Sequence, residues 1–501
     1  MIQKLIDFAL GQRLLTATVA AAMAAMGVFS MLTIAVDSFP DVSNVQVQIV
    51  TEPESMATEE VEMLITYPIE TSLNGLPKIK KIRSLSSFGL SVVTAIFEED
   101  TDVYFARQLV QQRLLQTRSS LPADCPTPTL GPVISSFSQV YMYYLQSHNL
   151  DNTQLRTLQD WDIARRLKAV PGVAGVATYG GFVKQYQVLV NPYQLRSYNL
   201  HINDVMLALA ENNSNAGGNF IEEAGEEVVI RGIGRIKNLD DIRNIVLKTV
   251  NGTPIKISQI GDVEVGKAFR RGSASFDGKS EVVTGIVLTR KGANTKTTVE
   301  KVKEQIEEIR RDLPSGVELV PYYDQTELVD KTIETVKEIL LFSGGLVIII
   351  LTAVLLHIPS ALIVAVIIPL SLLFSFILMK YSGLSANLMT LGAVDFGIVV
   401  DAGVVMVENI FRHLAHEKPA TRGAALKVIG EAAREVGKPI VFAIAIIISV
   451  YIPLFTLEGV EGKMFQPLAL TFIYALLGSL LVSLTVIPLF CYWFMKGQIV
   501  E

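Results

Sequence analysis

Long uncharged stretches alternate along the chain with one long charged region. Stretches long enough for a helix to cross a bilayer occur once near the amino terminus and repeatedly after residue 338. A turn signal, His357-Ile358-Pro359-Ser360, divides the longest of them into two. The pattern therefore predicts six transmembrane helices, at 14–36, 339–358, 359–380, 386–411, 439–457 and 467–495.

Residues 37–338 have the pattern of a water-exposed domain of strands and helices. Period-two segments predict strands, and helical spacing predicts helices such as 102–119, for which Thr101 is the expected N-cap. The order strand–helix–strand–strand–helix recurs, which favours two ferredoxin-like split β-α-β units. A segment at about 184–272 has a residue pattern unlike that of the two units, and we interpret it as an insertion. The predicted fold class is a membrane α-helical protein with a large external α+β domain.

The positions of Lys and Arg predict the orientation in the membrane. The link 412–438 between predicted spans four and five is rich in basic residues, whereas the links after spans three and five carry one Lys each. By the positive-inside rule the basic link is cytoplasmic, so both termini are expected inside and the large domain outside. The first span is longer than a signal-peptide core. We interpret it as a retained anchor that follows a cytoplasmic amphipathic segment, 1–13.

The residue composition argues against several classes of function. The chain is 50% hydrophobic and 18% charged with a formal net charge of −6, and no basic stripe indicates nucleic-acid binding. Cys125 and Cys491 fall in different regions and predict no disulfide. We interpret His413 and His416 as a solvated surface pair rather than a metal site, and the acidic run 98–102 as a strand-to-helix turn. No nucleophile–base arrangement is recognisable, so we expect neither an enzyme nor a resident cofactor.

Three acids inside the predicted fourth span carry the strongest functional signal. Asp395, Asp401 and Glu408 lie in apolar sequence, where each buried acid costs about 2.5–3.5 kcal/mol on insertion scales. Such acids most often move protons or ions. In an ideal helix Asp401 and Glu408 lie within about 20° of one face, and Asp395 is about 120° off that stripe. The alternative is that these acids only hold helices together. This alternative is strongest for Glu408, because Asn409 and Arg412 indicate that the span ends there.

Several motifs resemble the first half of a resistance–nodulation–division (RND) transporter, and the resemblance covers essentially the whole chain. The motifs are FPDVSNVQVQ at 39–48, TYPIET at 66–71, RSLS at 83–86, YFARQLV at 104–110, GAVDFGIVVD at 392–401 and VMVEN at 405–409. They are similar to the heavy-metal efflux branch, of cobalt–zinc–cadmium type. Drug exporters of this family typically have two adjacent acids in this span, whereas Ala402 follows Asp401 here. Copper and silver exporters usually lack the acid at the Asp395 position, so both differences favour divalent cations.

The resemblance implies a proton-driven efflux subunit of the bacterial inner membrane, with its large domain in the periplasm. Asp401 matches the central proton carrier, and Asp395 and Glu408 match accessory members of the relay. Pumps of this branch work as homotrimers in the lipid bilayer. They pass divalent metal ions to a periplasmic adaptor and an outer-membrane channel.

The resemblance also implies that the chain is the amino-terminal half of a pump, because complete relatives have twelve spans and two external domains. A carboxy-terminal half would then supply the cation that faces Asp401 and most of the metal cleft, so the metal ligands stay unknown. The insertion resembles the family's docking subdomain, although its loop at 215–228 is short for an inter-subunit arm. The alternatives are a non-transporting or regulatory half-pump fragment and an RND exporter of organic compounds.

Overall fold

The chain forms a helical bundle and a β-rich domain that is inserted after the second helix. The computed structural model describes residues 2–495, apart from 38–39, 54–55, 124, 224, 251, 271, 356–357, 393–395 and 420. Two helices come first, α1 (Ile2–Gly11) and α2 (Arg13–Thr33). The chain then leaves the bundle and enters the β-rich domain.

The first unit of this domain is a four-stranded antiparallel sheet covered by helices. Its elements are β1 (Gln46–Thr51), α3 (Thr58–Val61), α4 (Tyr67–Leu73), β2 (Ile79–Ser87), β3 (Leu90–Phe97), α5 (Val103–Thr117) and β4 (Thr129–Leu130). The strand order is β2-β3-β1-β4. Alternate residues of β1, such as Val47 and Ile49, are buried against Ile69 of α4 and Val110 of α5. The period-two pattern therefore fixes which face of the sheet meets the helices.

The acidic run before α5 forms the turn that the sequence predicts, with one correction. The N-cap is Asp102 and not Thr101, since the Asp102 carboxylate accepts the Phe105 N–H at 2.8 Å. A negative charge at this position also interacts favourably with the helix dipole. Two of the other acids of this run make ion pairs, Asp100 with Lys78 and Glu99 with Lys463 near the start of the last helix.

The second unit repeats the strand order of the first and contains the insertion. It opens with β5 (Gln139–Ser147), α6 (Asn152–Leu158), α7 (Ala164–Lys168) and β6 (Val173–Tyr179). The insertion comprises β7 (Lys184–Val190), α8 (Pro192–Ser197), α9 (Ile202–Glu211), β8 (Ala216–Glu223), β9 (Glu226–Gly232), α10 (Leu239–Arg243), β10 (Val246–Val250), β11 (Thr253–Lys256) and β12 (Gly261–Lys267). The unit resumes with β13 (Ser275–Phe276), β14 (Ser280–Glu281), β15 (Val283–Thr289), α11 (Thr295–Asp312) and β16 (Val317–Asp324). Its sheet has the order β6-β15-β5-β16, so the insertion separates two neighbours in the repeat.

Both units share an irregularity in their first helix. A π-helical turn, Glu62–Thr66, lies between α3 and α4, and another, Gln159–Ile163, lies between α6 and α7. Isolated π turns are rare and are usually retained for a reason. The shared strand order and the shared π turn indicate that the second unit repeats the first.

The hairpin formed by β8 and β9 projects from the insertion. Every described residue of the two strands is exposed, including the apolar side chains Phe220, Ile221 and Val229. The remaining strands of the insertion form separate two-stranded pairs, β7 with β12 and β10 with β11. An apolar hairpin exposed on both faces is a surface that another chain could cover.

The bundle is completed by helices that follow the β-rich domain directly. They are α12 (Gln325–Leu355), α13 (Ile358–Ala365), α14 (Ile367–Tyr381), α15 (Leu388–Gly392), α16 (Phe396–Glu417), α17 (Arg422–Tyr451) and α18 (Gly459–Phe494). Five segments of the described chain are long and apolar enough to cross a membrane, namely Arg13–Thr33, Ile358–Tyr381, Met389–Glu417, Arg422–Thr456 and Gly459–Phe494. The predicted span 339–358 falls mainly on α12, which is not among these five, so it stays a prediction.

Small residues allow the long helices to approach closely. A Cβ atom at Gly27 of α2 would lie 2.5 Å from the Cβ atom of Leu373 on α14. A Cβ atom at Gly478 of α18 would lie 3.0 Å from that of Phe374, also on α14. Close backbone approach at small residues is typical of helix packing in membranes. Helix α14 is therefore held on two sides by glycine contacts.

Candidate functional site

Helix α16 carries two of the three predicted relay acids and is packed into the bundle along one face. It contacts α13, α14, α17 and α18. The buried side chains of this face are Val399, Val400, Ala402, Met406, Val407, Ile410 and Leu414. Gly403 belongs to the same face, where an added Cβ atom would lie 1.6 Å from the Ile367 Cδ1 atom. The apolar residues of α16 therefore fix its rotation about its own axis.

The opposite face of α16 carries the acids. Gly397, Asp401, Val405, Glu408 and Arg412 are exposed, and their spacing of three and four residues places them on one stripe. The structure thus brings Asp401 and Glu408 to the same face, as the helical spacing predicts. Asp395 lies outside the described residues, so its position relative to this stripe stays a prediction.

The start of this segment is fixed by a buried cap. Asn387, which is buried, accepts the backbone N–H groups of Met389 and Thr390 with its side-chain oxygen, both at 3.0 Å. Its own N–H donates to the Thr390 hydroxyl at 3.0 Å. This reciprocal arrangement caps α15, the short helix that precedes α16. Further along, the Ser479 hydroxyl of α18 donates to the Val399 carbonyl of α16.

A polar cluster closes the other end of α16. The Asn409 amide donates to the Ala432 carbonyl of α17 at 2.9 Å and accepts from the Arg412 guanidinium at 2.8 Å. The His413 Nε2 atom lies 2.8 Å from a Glu435 carboxylate oxygen, and its Nδ1 atom lies 3.6 Å from a Glu417 oxygen. The described residues hold no group of three potential metal ligands.

Sequence reasoning missed the structural role of this cluster. The signal available was the pair Asn409 and His413, four residues apart and therefore on one helical face. His413 is half-buried between two carboxylates, while His416 is exposed. The two histidines thus have different surroundings, and only His416 has the exposed position that we predict for a solvated pair. His413 helps to join α16 to α17.

A comparison with protein families identifies the chain. The family model described as ACR_tran, the AcrB/AcrD/AcrF family, matches residues 5–501. The chain belongs to this family. The expected membership of the heavy-metal efflux branch of the RND superfamily is thereby confirmed, together with the relatives described next.

Heavy-metal efflux proteins are similar over the whole chain. The cation efflux system protein CzcA of Alcaligenes sp. and the cobalt-zinc-cadmium resistance protein CzcA of Cupriavidus metallidurans are each 43% identical over 100% of this chain. The cation efflux system protein CusA of Escherichia coli is 38% identical over the same share. The chain spans about half of their length, 48% of each CzcA protein and 49% of CusA. These relatives are transporters, not enzymes.

A solved structure supports the same assignment. An X-ray crystal structure of a heavy metal efflux pump matches with a TM-score of 0.87 at 36% identity. The match covers 97% of this chain and 48% of that one. The fold of the chain is therefore that of an RND transporter, with apolar helices and a β-rich domain.

Proposed function

We propose that this chain is the amino-terminal half of an RND pump that exports divalent heavy-metal cations in exchange for protons. One observation carries the proposal. The chain is similar throughout to heavy-metal efflux proteins, and its helix α16 presents Asp401 and Glu408 on one exposed face. Charged groups inside a membrane are costly, and the usual reason for retaining them is a proton or ion pathway.

The proposed architecture has six transmembrane helices and a periplasmic domain of two ferredoxin-like split β-α-β units. The five apolar segments support the spans, and α12 would supply the sixth. The matching sheet orders support the two units, with a docking-like insertion at about 184–272. The basic link 412–438 supports a cytoplasmic position for that end of α16, and hence the inner membrane with the large domain in the periplasm.

In the proposed mechanism Asp401 is the central proton carrier. Asp395 and Glu408 act as accessory relay members that receive protons from the outer side and release them inside. The buried face of α16 is fixed by packing, so protonation changes act on the exposed stripe. One proton that crosses a potential of 100 mV releases about 2.3 kcal/mol. This free energy can maintain a roughly fiftyfold concentration gradient of one solute whose own movement carries no net charge.

The proposed cargo is a divalent metal cation of the zinc, cobalt or cadmium type. The name of the Cupriavidus metallidurans relative, at 43% identity, specifies cobalt, zinc and cadmium. Two relatives whose names include nickel, a nickel-cobalt-cadmium resistance protein and a nickel and cobalt resistance protein, are less similar, at 36% and 35% identity. The metal ligands are not assigned to residues of this chain, since among its described residues no group of three candidate ligands exists.

The proposed partners follow from the same family. They are a carboxy-terminal half, two further copies in a homotrimer, a periplasmic adaptor and an outer-membrane channel. The exposed apolar hairpin of β8 and β9 supports a contact with a neighbouring copy. The loop at 215–228 is short for the inter-subunit arm of drug exporters, so we propose only that this hairpin touches the neighbouring copy.

Replacing Asp401 tests the proposed relay. We expect Asp401→Asn, produced together with the carboxy-terminal half, to lower zinc, cobalt or cadmium efflux by about tenfold or more, because the amide cannot cycle a proton. The measurement is metal efflux from cells that lack their own pump. The matched control is Glu431→Gln, which removes an exposed acid on the neighbouring helix α17.

Efflux by Asp401→Asn and the sensitivity of a deletion strain together separate the competing functions. Normal efflux by Asp401→Asn, with correct membrane insertion, would contradict the relay. A deletion strain that becomes sensitive to organic compounds but not to metals would favour an exporter of organic compounds. If neither sensitivity changes, a non-transporting half-pump fragment is the better description.

A further inference from the structure

A cavity of about 260 Å³ with charged residues in its wall lies where the β-rich domain meets the helical bundle. Its wall combines the segment after α2, the turn between β15 and α11, the start of α12 and the link between α14 and α15. The cavity is large enough to hold water. Among the described residues, the charged groups that line it are Asp37, Asp41, Arg290 and Lys291.

Asp37 joins three of these segments. Its backbone N–H donates to the Ala386 carbonyl at 3.0 Å, and the Ala386 N–H donates to the Ala35 carbonyl at 2.9 Å. Its carboxylate accepts a hydrogen bond from the Thr295 hydroxyl at 3.1 Å. The backbone contacts tie α2 to the α14–α15 link, and only the carboxylate reaches α11.

The two acids of the cavity differ in how readily they take up a proton. Burial raises the pKa of Asp37, the charge of Asp41 raises it further, and hydrogen bonds from Thr295 and Ser385 only partly oppose the rise. Burial also acts to raise the pKa of Asp41, but hydrogen bonds from Ser43 and the neighbouring Lys291 hold it below its usual value. Asp37 therefore binds a proton first as the pH falls, while Asp41 stays ionised beside Lys291.

Protonation of Asp37 would weaken its side-chain contacts, with Thr295 on α11 and Ser385 in the α14–α15 link, and would spare its backbone contacts. Thr295 is the first residue of α11, so an ionised Asp37 places a negative charge at the amino terminus of an 18-residue helix. Such a charge is stabilised by the helix dipole, and the neutral carboxyl loses this attraction. The backbone bonds to Ala386 do not depend on the charge. Helix α11 leads through β16 straight into α12, so a movement of α11 reaches the bundle.

We propose that Asp37 is a further proton-responsive positioning residue of the pump, which holds the amino-terminal end of α11 against the outer ends of α2 and the α14–α15 link when ionised and lets this end move away when protonated, while the buried face of α11 stays packed on the second sheet. The response of α11 to protonation of Asp37 does not depend on whether the chain transports anything. Only the role of this response, which is to couple periplasmic protons to the β-rich domain, rests on the proposed function.

A distance measurement tests this proposal without any transport assay. Spin labels at Lys301→Cys on α11 and Tyr381→Cys at the end of α14 occupy exposed positions, whereas the native Cys125 and Cys491 are buried. Between about pH 8 and about pH 4 we expect the distance distribution of the full chain to shift to longer values. In Asp37→Asn, which is neutral at every pH, we expect the long distance throughout.

Two further variants sharpen the test. Thr295→Val removes the hydroxyl through which the Asp37 carboxylate reaches α11, so the distance should be longer at pH 8 and should respond less to pH. Asp41→Asn removes a charge that raises this pKa, so the midpoint should move to lower pH with the full amplitude retained. A distance that does not respond to pH, or an Asp37→Asn variant that titrates like the unmodified chain, would overturn the proposal. Loss of metal efflux without these changes would concern the relay and not Asp37.

Discussion

At the scale of single residues, the second unit holds a buried polar pair. Tyr143 and Gln159 are both fully buried, and the Tyr143 hydroxyl donates to the Gln159 side-chain oxygen at 3.0 Å. Burial raises the pKa of Tyr143 above its ordinary value, so the hydroxyl stays neutral. Gly285 makes room for the ring, because an added Cβ atom there would lie 2.4 Å from it. Gln159 reaches this position from the π turn.

We expect Gln159→Leu to destabilise the protein by about 1–3 kcal/mol, since it leaves the Tyr143 hydroxyl buried with its hydrogen bond removed. The measurement is denaturant-induced unfolding in detergent. The matched control is the double variant Tyr143→Phe with Gln159→Leu, which removes both polar groups and should recover part of the loss. A double variant as unstable as the sum of the two single variants would show that the pair is not coupled.

Positions that depend only on the residue's own helix were predictable, and contacts that depend on a distant partner were not. Asp401 and Glu408 share a face through spacing alone, and the described part of the chain agrees. Asp37 follows the first span in sequence without any pattern that marks it. Its partner Thr295 lies more than two hundred residues away, so only the fold brings the two together.

At the scale of elements, the contact between α2 and α14 depends on one glycine. A Cβ atom at Gly27 would also lie 2.8 Å from the Leu373 carbonyl oxygen, so the obstacle includes backbone. A flexible side chain can turn away from an added atom, but a helical carbonyl cannot. The approach of these two helices therefore requires a residue without a Cβ atom at this position.

We expect Gly27→Leu to lower the free energy of unfolding by about 1–3 kcal/mol, because the larger side chain forces the helices apart. Ala25→Leu, on the exposed face of the same helix, is the matched control and should change stability by less than about 0.5 kcal/mol. Thermal unfolding in detergent measures both. Equal stability of the two variants would show that α2 packs against α14 without the close contact.

Helix and strand order was more predictable than the ends of elements. The alternation of β1 and β3 is strong because one face is buried, and the sequence locates both strands. The predicted N-cap was wrong by one residue, since Thr101 and Asp102 are both good cap residues and only geometry chooses between them. Helix α17 begins at Arg422, well before Pro439, and this proline lies inside the helix. The basic residues of this stretch continue the helix beyond the apolar segment.

At the scale of the whole molecule, the helical bundle exposes both apolar and charged side chains. The acid-bearing stripe of α16 is exposed, and so are large apolar side chains such as Val405 beside it and Phe442 on α17. Contact with lipid is favourable for the Phe442 side chain, but it is costly for the acidic side chains of Asp401 and Glu408. The chain is similar to proteins of about twice its length, and the proposed carboxy-terminal half would supply helices to cover the stripe.

We expect a photo-reactive residue placed at Val405 to cross-link to the proposed carboxy-terminal half of the pump, because Val405 is exposed on the face of α16 that this half would cover. The same residue at Phe442 is the matched control and should give no protein adduct, since a lipid-facing position meets acyl chains.

The measurement is the mass of the species purified in mild detergent from the native host. A chain of 54.9 kDa with a second protein of similar size indicates a pump made in two parts, and a single chain of about twice that mass indicates one continuous pump. A lone 54.9 kDa species with no adduct at Val405 would contradict the covered stripe, and the non-transporting fragment would then be the better description.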